Sequence, residues 1–258
     1  MSHGSAESVR EEPPVRRVRW HEAHRILPSR YPPIQLFERL TDDPAEWEIL
    51  AELESLTNPR VRDEIGEIRL VLAAERVSGP GASWVMASFT HLNPQGSRFS
   101  DGSYGVYYAA RELATAIAET AFHMGRFYAA TADPPHAEAM RVLVGRLDAG
   151  FHDLRGDPSW APVLDPDDYT AGRALGRRLR AAGSNGLVYP SVRRTGGQCI
   201  GAFRPKAVGL PIQARHLQYF WDGRRISRYF DYAEDRWVAL APRLSLQCPV
   251  GPSGPARR

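Results

Sequence analysis

Residues 96–123 read GSRFSDGSYGVYYAARELATAIAETAFH. This stretch decides the fold because three kinds of element follow one another in it. Residues 95–102 form a loop of glycines and hydroxyls around Arg98. Gly105 to Ala109 is an aromatic, β-type run. From Arg111 to Tyr128 the apolar residues Leu113, Ala116, Ile117, Ala121 and Met124 recur at helical spacing, with Glu119 among alanines. A fixed cation and a fixed carboxylate therefore fall on adjoining elements. Such a pair suits an anionic, phosphate-bearing ligand beside which positive charge develops.

Working outward, Ile34–Leu40 reads as a first strand after Pro32 and Pro33. Asp42–Asp43–Pro44 then starts a helix over Ala45–Leu56. Ser83–Phe89, Val142–Leu147 and Phe151–Leu154 read as strands. Asp168 or Thr170 caps a helix that reaches about Ala182 and ends at Gly183. Gly186–Ser191 and Gln198–Phe203 read as two further strands, joined by an Arg/Gly-rich turn. His216–Trp221 and Arg224–Asp231 read as a hairpin about a two-residue Asp222–Gly223 turn. The fold class is α+β, with many short strands in small twisted sheets and about three helices. Residues 1–19 read as a mobile polar arm, 20–247 as one domain and 248–258 as a flexible tail.

The chain has 258 residues, enough to bury a substantial core, and its hydrophobic share of 43% is that of an ordinary globular protein. The 33 basic residues barely exceed the 30 acidic ones, so a net charge of +3 is a poor argument for direct nucleic-acid binding. The arginine clusters at 177–180 and 193–194 read as solvated faces. Two cysteines, Cys199 and Cys248, without Cys-x-x-Cys spacing, argue against a disulfide framework and a zinc site, and no metal is expected. The chain carries no apolar signal core and no run near the ~20 apolar residues of a membrane span. The expectation is a soluble, cytoplasmic protein without a membrane partner.

Two readings stand for Arg98: a guanidinium that grips a diphosphate through paired hydrogen bonds, or a surface arginine bridged to Asp101. Glu119 lies either on the apolar side of its helix, where it needs a partner or a function, or on the wet side, paired with His123. Of Tyr107 and Tyr108, one faces the core and the other a groove, where it can stack on a planar heterocycle. Ser191 lacks a G-x-S-x-G setting, so it is a hydrogen-bonding or turn residue rather than a nucleophile. The glycine pairs near 79–81 and 196–197 match neither a Walker loop nor a dinucleotide fingerprint.

In this order, Arg98–Phe99, Val106–Tyr107–Tyr108, Ala116–Ile117–Ala118–Glu119 and Pro190–Ser191–Val192 resemble the RES-domain family of bacterial toxins, the longer, ParT-like members in particular. Leu36–Phe37–Glu38–Arg39 is similar to the family's opening strand, and the likeness covers roughly residues 34–210. The resemblance implies an ADP-ribosyltransferase-like fold that consumes NAD⁺, by hydrolysis, by phosphorolysis or by transfer of ADP-ribose to a protein. It also implies an Xre-like antitoxin as partner. On that likeness Arg98 binds the NAD⁺ phosphates, with Arg39 a second candidate, and Tyr108 packs on the nicotinamide side. Glu119 orients a ribose hydroxyl and steadies the oxocarbenium ion, and Ser191 bonds the ligand or positions Glu119.

Two departures from the shortest members, the 45–56 helix and the hairpin around Trp221–Asp222–Gly223, add surface on which a protein could dock. They favour transfer to a cytoplasmic protein over simple NAD⁺ degradation. A non-catalytic phosphate-ligand binding protein is the rival reading, and a nucleic-acid module ranks last.

Overall fold

A computed structural model describes residues 12–31, 46 and 66–241 of the chain. The strand expected over 34–40, the helix over 45–56 (apart from Glu46), Arg39 and the tail from 248 lie outside the described residues.

Strand β1 spans Val15–Pro28 and runs antiparallel along β3, His136–Asp153. The arm expected over 1–19 is thus overturned from Val15 onward. Its arginines are cross-strand partners: Arg17 and Arg19 both reach the Asp148 carboxylate, at 2.6 and 3.2 Å. The same pairing explains why β3 runs unbroken where two strands are expected. Asp148, Ala149 and Gly150 read as a break, yet they sit in register with Arg19, Val18 and Arg17. Cross-strand pairing outweighs local propensity here.

Helix α1, Ala82–Thr90, replaces the strand expected over 83–89. Trp84, Val85 and Phe89 are good strand formers, but the buried residues Ala82, Val85, Met86 and Phe89 recur at helical spacing. Strand β2, Tyr107–Ala110, leads into helix α2, Leu113–Ala130. Helix α3, Thr170–Ala181, precedes β4, Gly186–Pro190, and β5, Gln198–Ala202. The chain continues through β6, Ile212–Trp221, β7, Ile226–Asp231, and β8, Arg236–Ala239. The β6–β7 connection takes residues 222–225, longer than the expected Asp222–Gly223 turn. The Asp222 carboxylate closes it by accepting from the Arg224 and Arg225 amides, each at 2.9 Å.

Where several small sheets are expected, the strands join in one eight-stranded sheet of order β1-β2-β5-β4-β3-β6-β7-β8. Because β1 also pairs with β3, strands β1, β2, β5, β4 and β3 form a closed ring from which β6 to β8 extend. The class is α+β, with helices packed on both faces. Alternation along the strands separates two cores. Tyr107, Ala109, Val188 and Ile200 pack with α1, and Ala110, Leu187, Tyr189 and Cys199 pack with α2 and α3.

Candidate active site

The site lies on the α2/α3 face of the sheet. Arg98 precedes β2 in a loop that α3 clamps from outside. Gly172 and Gly176 of α3 press on this loop: a Cβ at Gly172 would stand 2.5 Å from the Arg98 carbonyl oxygen, and one at Gly176 2.2 Å from that of Phe99. Only glycine admits so close a backbone approach. Between them Arg173 donates to the carbonyls of Ser97, at 3.1 Å, and Gln95, at 2.7 Å. Arg177 pairs with Asp101 at 2.7 Å. The arginines of this helix therefore hold the loop, beyond the solvated role expected of them.

That pairing also decides between the two readings of Arg98, since Asp101 is taken by Arg177. Arg98 is buried, at 7% exposure, and points across to the segment before α3. Its Nη1 donates to the carbonyls of Asp165, at 2.6 Å, and Val163, at 3.5 Å, and its guanidinium carbon stands 4.5 Å from the Tyr169 ring centroid. Nε and Nη2 meet no acceptor among the described residues. A rigid cation with donors to spare suits a phosphate or diphosphate.

Tyr107 and Tyr108 divide as alternation requires. Tyr107 packs into the α1 core, with the Arg25 guanidinium 4.6 Å from its ring. Tyr108 faces the site, but its hydroxyl already serves the Arg98 loop: it meets the Ser97 hydroxyl at 2.8 Å and accepts from the Phe99 amide at 3.1 Å. Burial pushes its phenol up to about 12, so it stays neutral and can go on donating.

Glu119 lies in the second turn of α2, with 19% of its side chain exposed. Ser191, just past the end of β4, donates to Glu119 Oε1 at 2.6 Å. The serine oxygen in turn accepts from the amides of Arg193 and Arg194, each at 3.1 Å, which fixes its rotamer. The buried Cys199 thiol stands 3.8 Å from the same carboxylate oxygen. Burial and the Glu119 charge push that thiol well up, so it is neither thiolate nor nucleophile. Glu119 Oε2 lies 4.0 Å from His123 Nε2. Desolvation and the neighbouring Arg193, Arg126 and Arg98 lower His123 to about 4, so at neutral pH the imidazole does not neutralise Glu119.

The structure thus brings Arg98, Tyr108, Glu119 and Ser191 onto one side of one sheet. Tyr189 sits among them: the charges of both Glu119 and Arg98 act on its buried phenol. Three participants escape a reading of the sequence. Tyr169 carries no motif, Phe122 looks like another helix apolar, and Arg193 sits in a cluster read as solvated. In fact the Arg193 guanidinium carbon lies 3.4 Å from the Phe122 ring centroid. Among the described residues no three His, Cys, Asp or Glu side chains are grouped to hold a metal ion, and no helix is long and apolar enough to cross a membrane.

A family model described as the RES domain matches residues 73–222, more than half of the chain. The chain belongs to the RES-domain family. All four site residues named above fall inside the match, while β7 and β8 fall beyond its end. The RES protein is 31% identical over 224 residues to the uncharacterized protein y4oC of Sinorhizobium fredii, across 86% of this chain and 92% of that one. Among solved structures, the crystal structure of the M. tuberculosis MbcT–MbcA toxin–antitoxin complex aligns with 47% of this chain and 73% of its own, at 16% identity and a TM-score of 0.35.

Proposed function

We propose that this RES protein is the toxin of a bacterial toxin–antitoxin pair that cleaves the nicotinamide–ribose bond of NAD⁺ and transfers ADP-ribose to a cytoplasmic protein. The observation that carries the reading is the pairing of two fixed, opposite charges. The Arg98 guanidinium is pinned at Nη1 and by Tyr169, with Nε and Nη2 left to donate. The Glu119 carboxylate is pinned at Oε1 by Ser191, and Oε2 is left to act.

NAD⁺ carries a diphosphate and, one ribose away, the bond to be broken. When nicotinamide leaves with the bonding electrons, positive charge develops on the ribose. A carboxylate already in place stabilises that charge without reorganising at the moment of reaction. In this reading Arg98 holds the diphosphate and Glu119 Oε2 takes the ribose hydroxyl and faces the developing cation. Ser191 keeps Oε1 occupied, and Tyr108 keeps the Arg98 loop in place beside the nicotinamide. Protein transfer is favoured over release to water or phosphate by the surface that β7 and β8 add beyond the matched domain, where Tyr232 and Trp237 are exposed. An Xre-like antitoxin would then act by covering this face.

Incubation with labelled NAD⁺ and lysate tests the reading. Nicotinamide release and label on protein are expected from the wild type. Glu119→Gln should lose about 10²–10³-fold in turnover, the scale of a missing preorganised electrostatic contact. Full turnover by Glu119→Gln would sink the catalytic assignment. Label that stays in small molecules would instead make the protein an NAD⁺ glycohydrolase or phosphorylase.

A further inference from the structure

Arg98 stands on a loop and Glu119 on helix α2, and the loop must still be held in place beside the helix. Arg193 is the residue that touches both supports. Its backbone amide donates to Ser191 Oγ at 3.1 Å, the hydroxyl that pins Glu119. Its side chain lies on the Phe122 ring of α2, and Nη2 donates to the Pro166 carbonyl and, at 3.4 Å, to the Tyr169 hydroxyl. Tyr169 is the ring that carries Arg98. Aromatic and guanidinium groups thus alternate from Phe122 through Arg193 and Tyr169 to Arg98, each layer fixing the next.

We propose that Arg193 is a positioning residue that, through Tyr169, holds Arg98 in its phosphate-binding position. This deepens the reading of the site as one for NAD⁺ and rests on it. The two links of Arg193 are chemically separate. The link to Ser191 runs through the main-chain N–H and survives any substitution but proline, whereas the link to Tyr169 runs through the guanidinium and does not. Loss of the side chain therefore loosens diphosphate binding and leaves the carboxylate in place.

Arg193→Met and Arg193→Lys test this against wild type. With chemistry intact and the phosphate clamp loosened, both variants should raise the KM for NAD⁺ about tenfold or more while kcat changes less than about threefold. Lysine should not rescue, because an ammonium cannot lie flat on Phe122 while bonding Tyr169. Two NMR signals of the ligand-free protein serve as readouts that need no turnover. The Tyr169 ring resonances should lose their dispersion in both variants, and the His123 titration should rise in Arg193→Met but stay low in Arg193→Lys. If Tyr169 is undisturbed in both variants and KM is unchanged, the proposal is overturned. A kcat that falls as far as KM rises overturns it too. If the wild type does not turn over NAD⁺ while Tyr169 still loosens, the substrate reading fails and the link to Tyr169 stands.

Discussion

Tyr107 and Tyr108 are neighbours on one strand, yet the two sides of the sheet they face are built for different ends. Around Tyr107 lie the sealed Val85 and Met86 of α1, both at 0% exposure, and the Ile200 and Val188 side chains. Around Tyr108 lie Ser97, Phe99, Arg98 and Tyr169, with Glu119, Ser191 and Arg193 beyond. One face invests its burial in apolar contact, which is non-directional and roughly additive with area. The other holds polar groups by directional bonds to one another and leaves a few atoms of Arg98 and Glu119 unspent. Stability and chemistry are thus separated by the thickness of a sheet, and substitutions on the two faces should fail in different ways.

The largest effect is expected on the α1 face. Met86→Ala removes a fully buried side chain from a sealed core, and such a cavity costs about 2–5 kcal/mol. Urea unfolding should show the loss, while kcat/KM for NAD⁺ in the protein that remains folded stays at the wild-type value. A drop in kcat/KM with stability unchanged would break the division between the faces.

Ser191→Ala is the counterpart on the other side. A hydrogen bond to a charged group is worth about 1.5–3 kcal/mol, so freeing Oε1 of Glu119 should lower kcat by roughly ten- to a hundredfold. The turn is half-exposed and water can serve the Arg193 and Arg194 amides, so the urea midpoint should barely move. A large stability loss with unchanged kcat would make Ser191 a turn residue and nothing more.

How far each face was legible follows from how local its signals are. Arg98, Tyr108 and Glu119 stand on consecutive elements within 22 residues, and Ser191 directly follows β4, a strand legible from its flanks except for its last residue. The α1 segment reads as a strand because Trp84, Val85 and Phe89 favour strands one by one, while its burial spacing is helical. Tyr169 and Arg193 were invisible as partners because the contact that joins them spans 24 residues of sequence and needs the fold to exist. Likewise Asp148 and Gly150 look like a break until Arg17 and Arg19 are placed opposite them. Residue type and spacing point to the groups proposed to act; the groups that hold them in position depend on contacts the fold alone creates.

The smallest effect sharpens the comparison by its pH dependence. Asp101 sits in the Arg98 loop, bonded to the Ser103 hydroxyl at 2.6 Å and the Ser103 amide at 3.1 Å, and paired with Arg177 at 2.7 Å. These contacts, the Ser103 hydroxyl foremost, hold its carboxyl down from 3.8 to about 2. A folded-state value below the unfolded one stabilises the protein above the unfolded value and ceases to do so as pH falls through the folded one. Asp101→Asn should therefore melt slightly below wild type at neutral pH, by little because Arg177 is largely exposed. The difference should stay constant down to the ordinary carboxylate range and close as pH falls from 3.8 toward about 2. The deficit of Met86→Ala should show no such step in that window, since nothing titrates in its cavity. A gap between wild type and Asp101→Asn that widens in acid would mean that the carboxylate strains the Arg98 loop rather than holding it, and the loop would then owe its order to Gly172, Gly176, Arg173 and Tyr108 without it.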